Sequence, residues 1–265
     1  MDRPDTRAVW DANAPVWIEL SRAGFDVYRD LVNTPAFLEM LPDVEGSLGL
    51  DLGCGEGHNT RLVAERRADV VALDVSRPFI EAAVEHERSE PLGIRFALGD
   101  AASLPFATSS LDFVTAFMSL MDVGDPDATL REVARVLRPE GFVQFSIGHP
   151  FTNTPVRRWI DSETGGREAL AIGGYFYEGP LEETWIFGAA PEELRQQRRP
   201  FRIVYARRTL ASWLNAVIRA GFVIEAIAEP CASEETAATN PRVADSRIVP
   251  FFLLVRARHP GDRSA

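Results

Sequence analysis

Three glycines at alternate positions, Gly53, Gly55 and Gly57, follow the apolar run LGLDL, and two carboxylates, Asp74 and Asp100, close the next two apolar runs. Glycines directly after a strand let the backbone turn tightly and let a ligand approach the peptide groups with no side chain between. A carboxylate at the end of the following strand can accept hydrogen bonds from both hydroxyls of a ribose. One at the end of the strand after that can accept a bond from the exocyclic amine of an adenine. Each acid alone is as readily a solvated strand end or a helix cap. Together, beyond one glycine loop, they describe a nucleoside pocket. Position 58 is His58 rather than the last glycine of GxGxxG, so the dinucleotide fingerprint is incomplete.

A second group of residues could act on a bound acceptor. His149 follows a later apolar run in SIGHPF, and an imidazole of ordinary pKa accepts protons at neutral pH. The competing reading is a strand-end histidine bonded to the backbone. Tyr175, Phe176, Tyr177 and Trp185 fall in one stretch dense in Gly and Pro. They read either as an aromatic wall, with the Tyr175 hydroxyl orienting the acceptor, or as a small local core. Trp10, Trp17, Tyr28 and Arg29 pose the same choice near the start of the chain. His58, His86, His149 and His259 show no metal-ligand spacing, so no metal is expected. Cys54 and Cys231 are the only cysteines, too few for a disulfide framework, and Cys54 reads as a small buried turn residue.

These residues need a scaffold, and the hydrophobic pattern supplies one. Residues 6–40 carry aromatic and aliphatic groups at helical spacing. From Leu48 short apolar runs alternate with charged helical segments: GLDLG, VVALD, IRFALGD, LDFVTAF and GFVQFSI are strands, and HNTRLVAERR, PFIEAAVEHERS and PDATLREVARVL are helices. Later, RTLASWLNAVIRAGF reads as a helix closed by Gly221, with Trp213 and Leu214 on its core face. The strands FVIEAIA and VPFFLLVRA follow. This is a doubly wound α/β fold with a seven-stranded, mostly parallel sheet. Ligands in such sheets bind beyond the carboxyl ends of the strands, where the glycines and acids fall. Residues 149–208 break the rhythm with a stretch too long for an ordinary connection, and long structured insertions often form binding loops. The expected organisation is an N-terminal helical cap (1–46), a cofactor-binding core (47–148), a lid insertion after strand five (149–208) and a C-terminal completion of the core (209–265).

Composition narrows the partners. The 265 residues suffice for one domain with an insertion, and 39 acidic against 28 basic residues give a formal charge of −11. That surface repels nucleic acid backbones and anionic membranes, and RQQRRP is too short to reverse it. The start, MDRPDTRAVWDANAP, lacks the features of a signal peptide, and no run approaches the length of a membrane span. A cytoplasmic monomer or homodimer that takes a small-molecule acceptor is expected.

Taken in order, LDLGCGEG, ALDVS, GDAASLPF, LDFVTAF, EVARVLRPEG and RTLASWLNAVIRAGF resemble the class I S-adenosylmethionine-dependent methyltransferases, especially bacterial small-molecule enzymes of the ubiquinone/menaquinone type. The resemblance is close over residues 47–148 and looser beyond. It implies a Rossmann-like methyltransferase fold with S-adenosylmethionine as cofactor. Asp51, Gly53 and Gly55 would then hold the methionine part, Asp74 with Val75 and Ser76 the ribose, and Asp100 with Ala101 the adenine. Phe117 and Met118 would line the passage to the acceptor. Apart from the resemblance, Tyr28 and Arg29 are candidates to border the cofactor, Arg29 by pairing with its carboxylate, and His149, just beyond the fifth strand and close to where the methyl group should lie, is the candidate base. Two positions depart from the pattern: Glu140 stands where glycine is usual, and Met121-Asp122 where a Leu-His pair often does. The reaction implied is methyl transfer to O, N or C of a small, partly hydrophobic molecule, plausible in secondary metabolism. An NAD-dependent oxidoreductase is the second reading, opposed by His58 and the motif around Asp100. A catalytically silent nucleoside-binding module is the third, opposed by the intact glycine and acid motifs.

Overall fold

A computed structural model of the chain describes residues 5–163 and 165–261; positions 1–4, 164 and 262–265 of the expected segments lie outside the described residues. The N-terminal segment forms α1 (Thr6–Arg22), whose first turn is capped by the Asp5 carboxylate accepting from the Arg7 amide at 3.0 Å. A π-helical turn (Arg29–Asn33) runs directly into α2 (Thr34–Met40). Widened turns of this kind frequently fall at functional sites.

From Leu48 the chain alternates as its periodicity requires: β1 (Leu48–Leu52), α3 (His58–Ala64), β2 (Asp69–Asp74), α4 (Arg77–Ser89), β3 (Arg95–Leu98), β4 (Leu111–Phe117), α5 (Pro126–Val136) and β5 (Leu137–Gly148). Residues 149–208 contain β6 (Val156–Asp161), β7 (Arg167–Gly173), β8 (Gly179–Trp185), α6 (Glu192–Gln197) and β9 (Phe201–Arg207). The chain then completes the core with α7 (Leu210–Arg219), β10 (Val223–Ala228), α8 (Glu234–Thr239), a 3-10 turn (Pro241–Arg247) and β11 (Phe252–Arg258).

The seven expected strands form one sheet in the order β10-β11-β5-β4-β1-β2-β3. β11 alone runs against its neighbours β5 and β10; the pairs among β1 to β5 are parallel. Strand order reverses between β1 and β4, so their carboxyl ends diverge and open a crevice. Helices cover both faces. Leu52, Val114 and Phe145 pack with Val133 of α5 and with Trp213 and Val217 of α7. Phe113, Phe142 and Leu254 pack with Phe37 of α2 and Val63 of α3.

Residues 149–208 fold as two separate hairpins, β6–β7 and β8–β9. The second is fastened to α1 by an aromatic cluster in which the Trp17 ring lies 4.9 Å from Phe187 and 4.8 Å from Phe201. Glu140, expected where glycine is usual, takes a left-handed φ of 66°. The C-terminal segment holds it there: its amide donates to His259 O at 3.0 Å, and its carboxylate accepts from the Gly261 amide at 2.8 Å. No helix among the described residues is long and apolar enough to cross a membrane.

Candidate active site

The loop after β1 is shaped by what crosses beneath it. Gly53 has φ 70°, and a Cβ there would stand 2.4 Å from Ser119 Cβ, just past the end of β4. Only glycine lets the two strand ends approach so closely. The Gly53 amide donates to Leu73 O at 2.7 Å, tying the loop to β2. Gly55 has φ 56°, and an added Cβ would meet nothing within 4 Å, so its face is open. Cys54, between them, is half-buried, and burial pushes its thiol well above the ordinary range, which suits a structural residue rather than a nucleophile.

Two aspartates stand around this loop in different ways. Asp74, at the end of β2, accepts from the Gly55 amide through Oδ2 and from the Ser76 amide through Oδ1, each at 2.8 Å. Asp51 is 1% exposed; Thr60 donates to its Oδ2 at 2.5 Å and Thr115 to its Oδ1 at 2.9 Å. Burial pushes both carboxyls up to about 6, against the hydrogen bonds that hold them down. Asp100 is exposed after β3 and accepts from the Ala102 amide at 2.9 Å.

A continuous cavity of 1410 Å³ opens over the carboxyl ends of the sheet. Gly53, Gly55, Asp74, Val75, Asp100, Ala101 and Phe117 all line it, with Tyr28 and Arg29 from the N-terminal segment. Asp51 and Ser76 do not line it; both are buried behind the loop, Asp51 between two threonine hydroxyls. Arg29 already binds Asp30 through Nε at 2.7 Å and Ser21 through Nη1 at 2.6 Å. Helix α1 is also tied to the glycine loop itself, because Arg22 Nε donates to the buried Glu56 carboxylate at 2.7 Å.

Two expected site residues lie off the cavity lining. His149 is 4% exposed and does not line the cavity. Its Nδ1 accepts from the Phe151 amide at 3.1 Å, so Nε2 carries the proton and donates to Glu229 at 2.7 Å. Burial lowers its pKa, against the pull of Glu229. With neither ring nitrogen turned to the cavity, His149 fastens the turn after β5. Tyr175 likewise lies off the cavity; its hydroxyl accepts from the Leu210 amide at 3.2 Å and its ring carries the Arg207 guanidinium at 5.3 Å. Its neighbours Phe176 and Tyr177 are exposed and also absent from the lining. Of the four expected aromatics only Trp185 reaches the cavity, where it meets Trp17 and Phe187 and shares the lining with Trp10.

Several pairings in the lining carry no signal in the linear sequence. Tyr205 of β9 donates its hydroxyl to Asn153, Arg157 of β6 pairs with Glu183 of β8, and Tyr28 donates to Asp245 in the 3-10 turn. The partners in these pairs are separated by 52, 26 and 217 positions. No local spacing rule brings them together.

Comparison with known proteins agrees with this geometry. A family profile described as a methyltransferase domain matches residues 50–145. A solved S-adenosylmethionine-dependent methyltransferase from Mesorhizobium loti is 32% identical and superposes with a TM-score of 0.70, covering 84% of this chain and 96% of that one. Demethylmenaquinone methyltransferase from Renibacterium salmoninarum is 33% identical over 157 residues, 56% of this chain and 61% of that one. Methyltransferase GfsG from Streptomyces halstedii is 40% identical over 111 residues, and the match spans 40% of its length. The chain belongs to the class I S-adenosylmethionine-dependent methyltransferases. It is an enzyme of methyl transfer, with S-adenosylmethionine as its cofactor.

Proposed function

We propose that the protein transfers the methyl group of S-adenosylmethionine to O, N or C of a small, partly hydrophobic organic molecule. The observation that carries this reading is the continuous cavity that joins the glycine loop to an aromatic wall of Trp10, Trp17, Trp185 and Phe187. Its 1410 Å³ exceeds the roughly 300–1,000 Å³ usual for one drug-sized ligand, which leaves room for an acceptor beside the cofactor.

The residues present fit the cofactor. Gly55 offers an open backbone face, and the Asp74 carboxylate, oriented by backbone amides, lines the cavity where ribose hydroxyls could donate to it. On this reading Gly53 and Gly55 hold the methionine end, with Tyr28 and Arg29 across from them. Asp74 and Val75 hold the ribose, Asp100 and Ala101 the adenine, and Phe117 borders the meeting point. Asp51 and Ser76 act from behind, by fixing the loop. Residues 149–208 contribute the acceptor side through Asn153, Arg157, Glu183, Trp185 and Tyr205.

The sulfonium supplies an already activated methyl group, so the protein has to align the acceptor and exclude water. The aromatic wall excludes water, Arg157 and Glu183 neutralise each other, and Asn153 and Tyr205 are hydrogen-bonded to each other, which favours an acceptor without strong net charge. The test is an acceptor screen read by mass spectrometry, run on wild type and on Trp185→Ala. Methylation of apolar hydroxyl or amine compounds, with the Michaelis constant raised in the variant, is expected. Preference for phosphorylated or polyanionic acceptors would overturn the substrate class.

A further inference from the structure

Tyr28 Oη faces two acceptors at once. It lies against the Asp245 carboxylate, and at 2.8 Å from the main-chain carbonyl of Arg242. A phenol has one proton, so it can serve only one of them. The other contact then sets one oxygen lone pair against another in a partly buried place, which is costly. One additional proton resolves the conflict: a protonated Asp245 donates to Tyr28 Oη, and Tyr28 donates to the Arg242 carbonyl.

The surroundings keep this arrangement in register. Asp245 is 5% exposed, and its second oxygen accepts from Arg167 of β7, whose guanidinium lies 4.5 Å over the Trp159 ring. The Tyr28 ring rests 5.2 Å from Phe251. Asp245 and Arg167 are the charged side chains that act on the Tyr28 hydroxyl. Three segments remote in sequence therefore converge on one oxygen cluster, and Tyr28 and Asp245 both line the cavity.

We propose that Tyr28 and Asp245 form the proton-accepting pair for an acceptor methylated on a protic O–H or N–H group, an inference that rests on the methyltransferase reading of this cavity. As the acceptor's O or N bonds to the methyl carbon, the bond from that carbon to sulfur breaks and sulfur keeps the electron pair. The acceptor's proton passes to Tyr28 Oη, and the phenolic proton passes to Asp245 Oδ1. The positive charge that sulfur loses thus reappears as a proton on Asp245, which is later given to solvent.

The first test needs no acceptor. The full-length protein, saturated with S-adenosylhomocysteine, is labelled with 13C at tyrosine Cζ and aspartate Cγ and titrated with acid by NMR. Protonation of Asp245 is expected to move the Tyr28 Cζ resonance with the same midpoint, and Asp245→Asn, which keeps the side-chain shape, is expected to abolish that movement. A Tyr28 signal indifferent to protonation of Asp245 overturns the proposal. With a phenol or primary amine found to be methylated, Asp245→Asn and Tyr28→Phe should each slow single-turnover transfer by about 10²–10⁴-fold and flatten the acid limb of the pH–rate profile. Unchanged rates and profile would overturn it as well. Calorimetry with S-adenosylhomocysteine on the same wild-type preparation separates the two claims: absence of binding removes the cavity reading, whereas binding with uncoupled titration removes the proton-accepting pair alone.

Discussion

Replacing Asp74 by asparagine should weaken cofactor binding by an amount that follows from its bonds. The carboxylate accepts from the Gly55 and Ser76 amides at 2.8 Å, is also held by the Val75 amide, and lines the cavity. Asparagine keeps one oxygen and turns an NH2 toward an amide that needs an acceptor, so at least one charge-assisted bond is lost. Such a bond contributes about 1.5–3 kcal/mol, which corresponds to a roughly 10- to 150-fold rise in the dissociation constant of S-adenosylhomocysteine. The same carboxyl is pushed up to about 6 by burial. The ionised form is the better acceptor, so wild-type affinity should strengthen as pH rises through that value, and affinity of the variant should not. Isothermal titration at mildly acidic and mildly alkaline pH measures both effects. A folded Asp74→Asn protein with wild-type affinity and wild-type pH dependence would refute the reasoning.

Three further outcomes follow from buried or strained groups. Asp26, Asp51 and Asp74 are each raised from 3.8 to about 6, burial being the largest cause. They bind protons more tightly in the folded state, so their contribution is complete below the unfolded value and is lost as pH rises through about 6. Glu225, held low by Arg258, remains ionised in that window. These three carboxyls favour mild acid, whereas His58 and His149, whose pKa values burial lowers, favour mild alkali; Asp51→Asn therefore shifts the melting-temperature profile toward alkaline pH, and a folded Asp51→Asn protein with the wild-type profile would contradict this. His149→Ala breaks the bonds to Phe151 and Glu229 and should cost about 1–3 kcal/mol of stability in denaturant titration, while turnover by the folded variant is retained. Lost turnover at unchanged stability would restore His149 as a base. Glu140→Gly relieves a left-handed backbone worth about 1–2 kcal/mol but gives up the bond to Gly261, so a small rise in melting temperature is expected, and a fall would show that the tail contact dominates.

The parts of the fold legible from sequence are those that local chemistry dictates. Apolar runs buried on both faces, interrupted by amphipathic helices, specify the parallel sheet, and Gly53 and Asp74 sit where strand ends require them. The depth of Asp51 is not legible from its chain position, because a carboxylate one residue inside the strand end points beneath the loop, toward Thr60 and Thr115. His149 was read as a base from its place after β5; whether its nitrogens are already spent depends on Glu229, 80 positions away. Across residues 149–208, alternation within each hairpin sends Trp185 to the cavity, while Tyr175 precedes β8 and packs on Arg207. Asp245 gave no sequence signal, since its meaning comes wholly from Tyr28 and Arg167, brought to it by tertiary structure.

The most direct measurement is a crystal structure of the complex with S-adenosylhomocysteine. The account predicts both ribose hydroxyls within hydrogen-bond distance of the Asp74 carboxylate, the adenine beside Asp100 and Ala101, and the sulfur facing Phe117 with the aromatic wall beyond it. A nucleoside bound away from Asp74, or seated against Trp185 and Phe187, would contradict it.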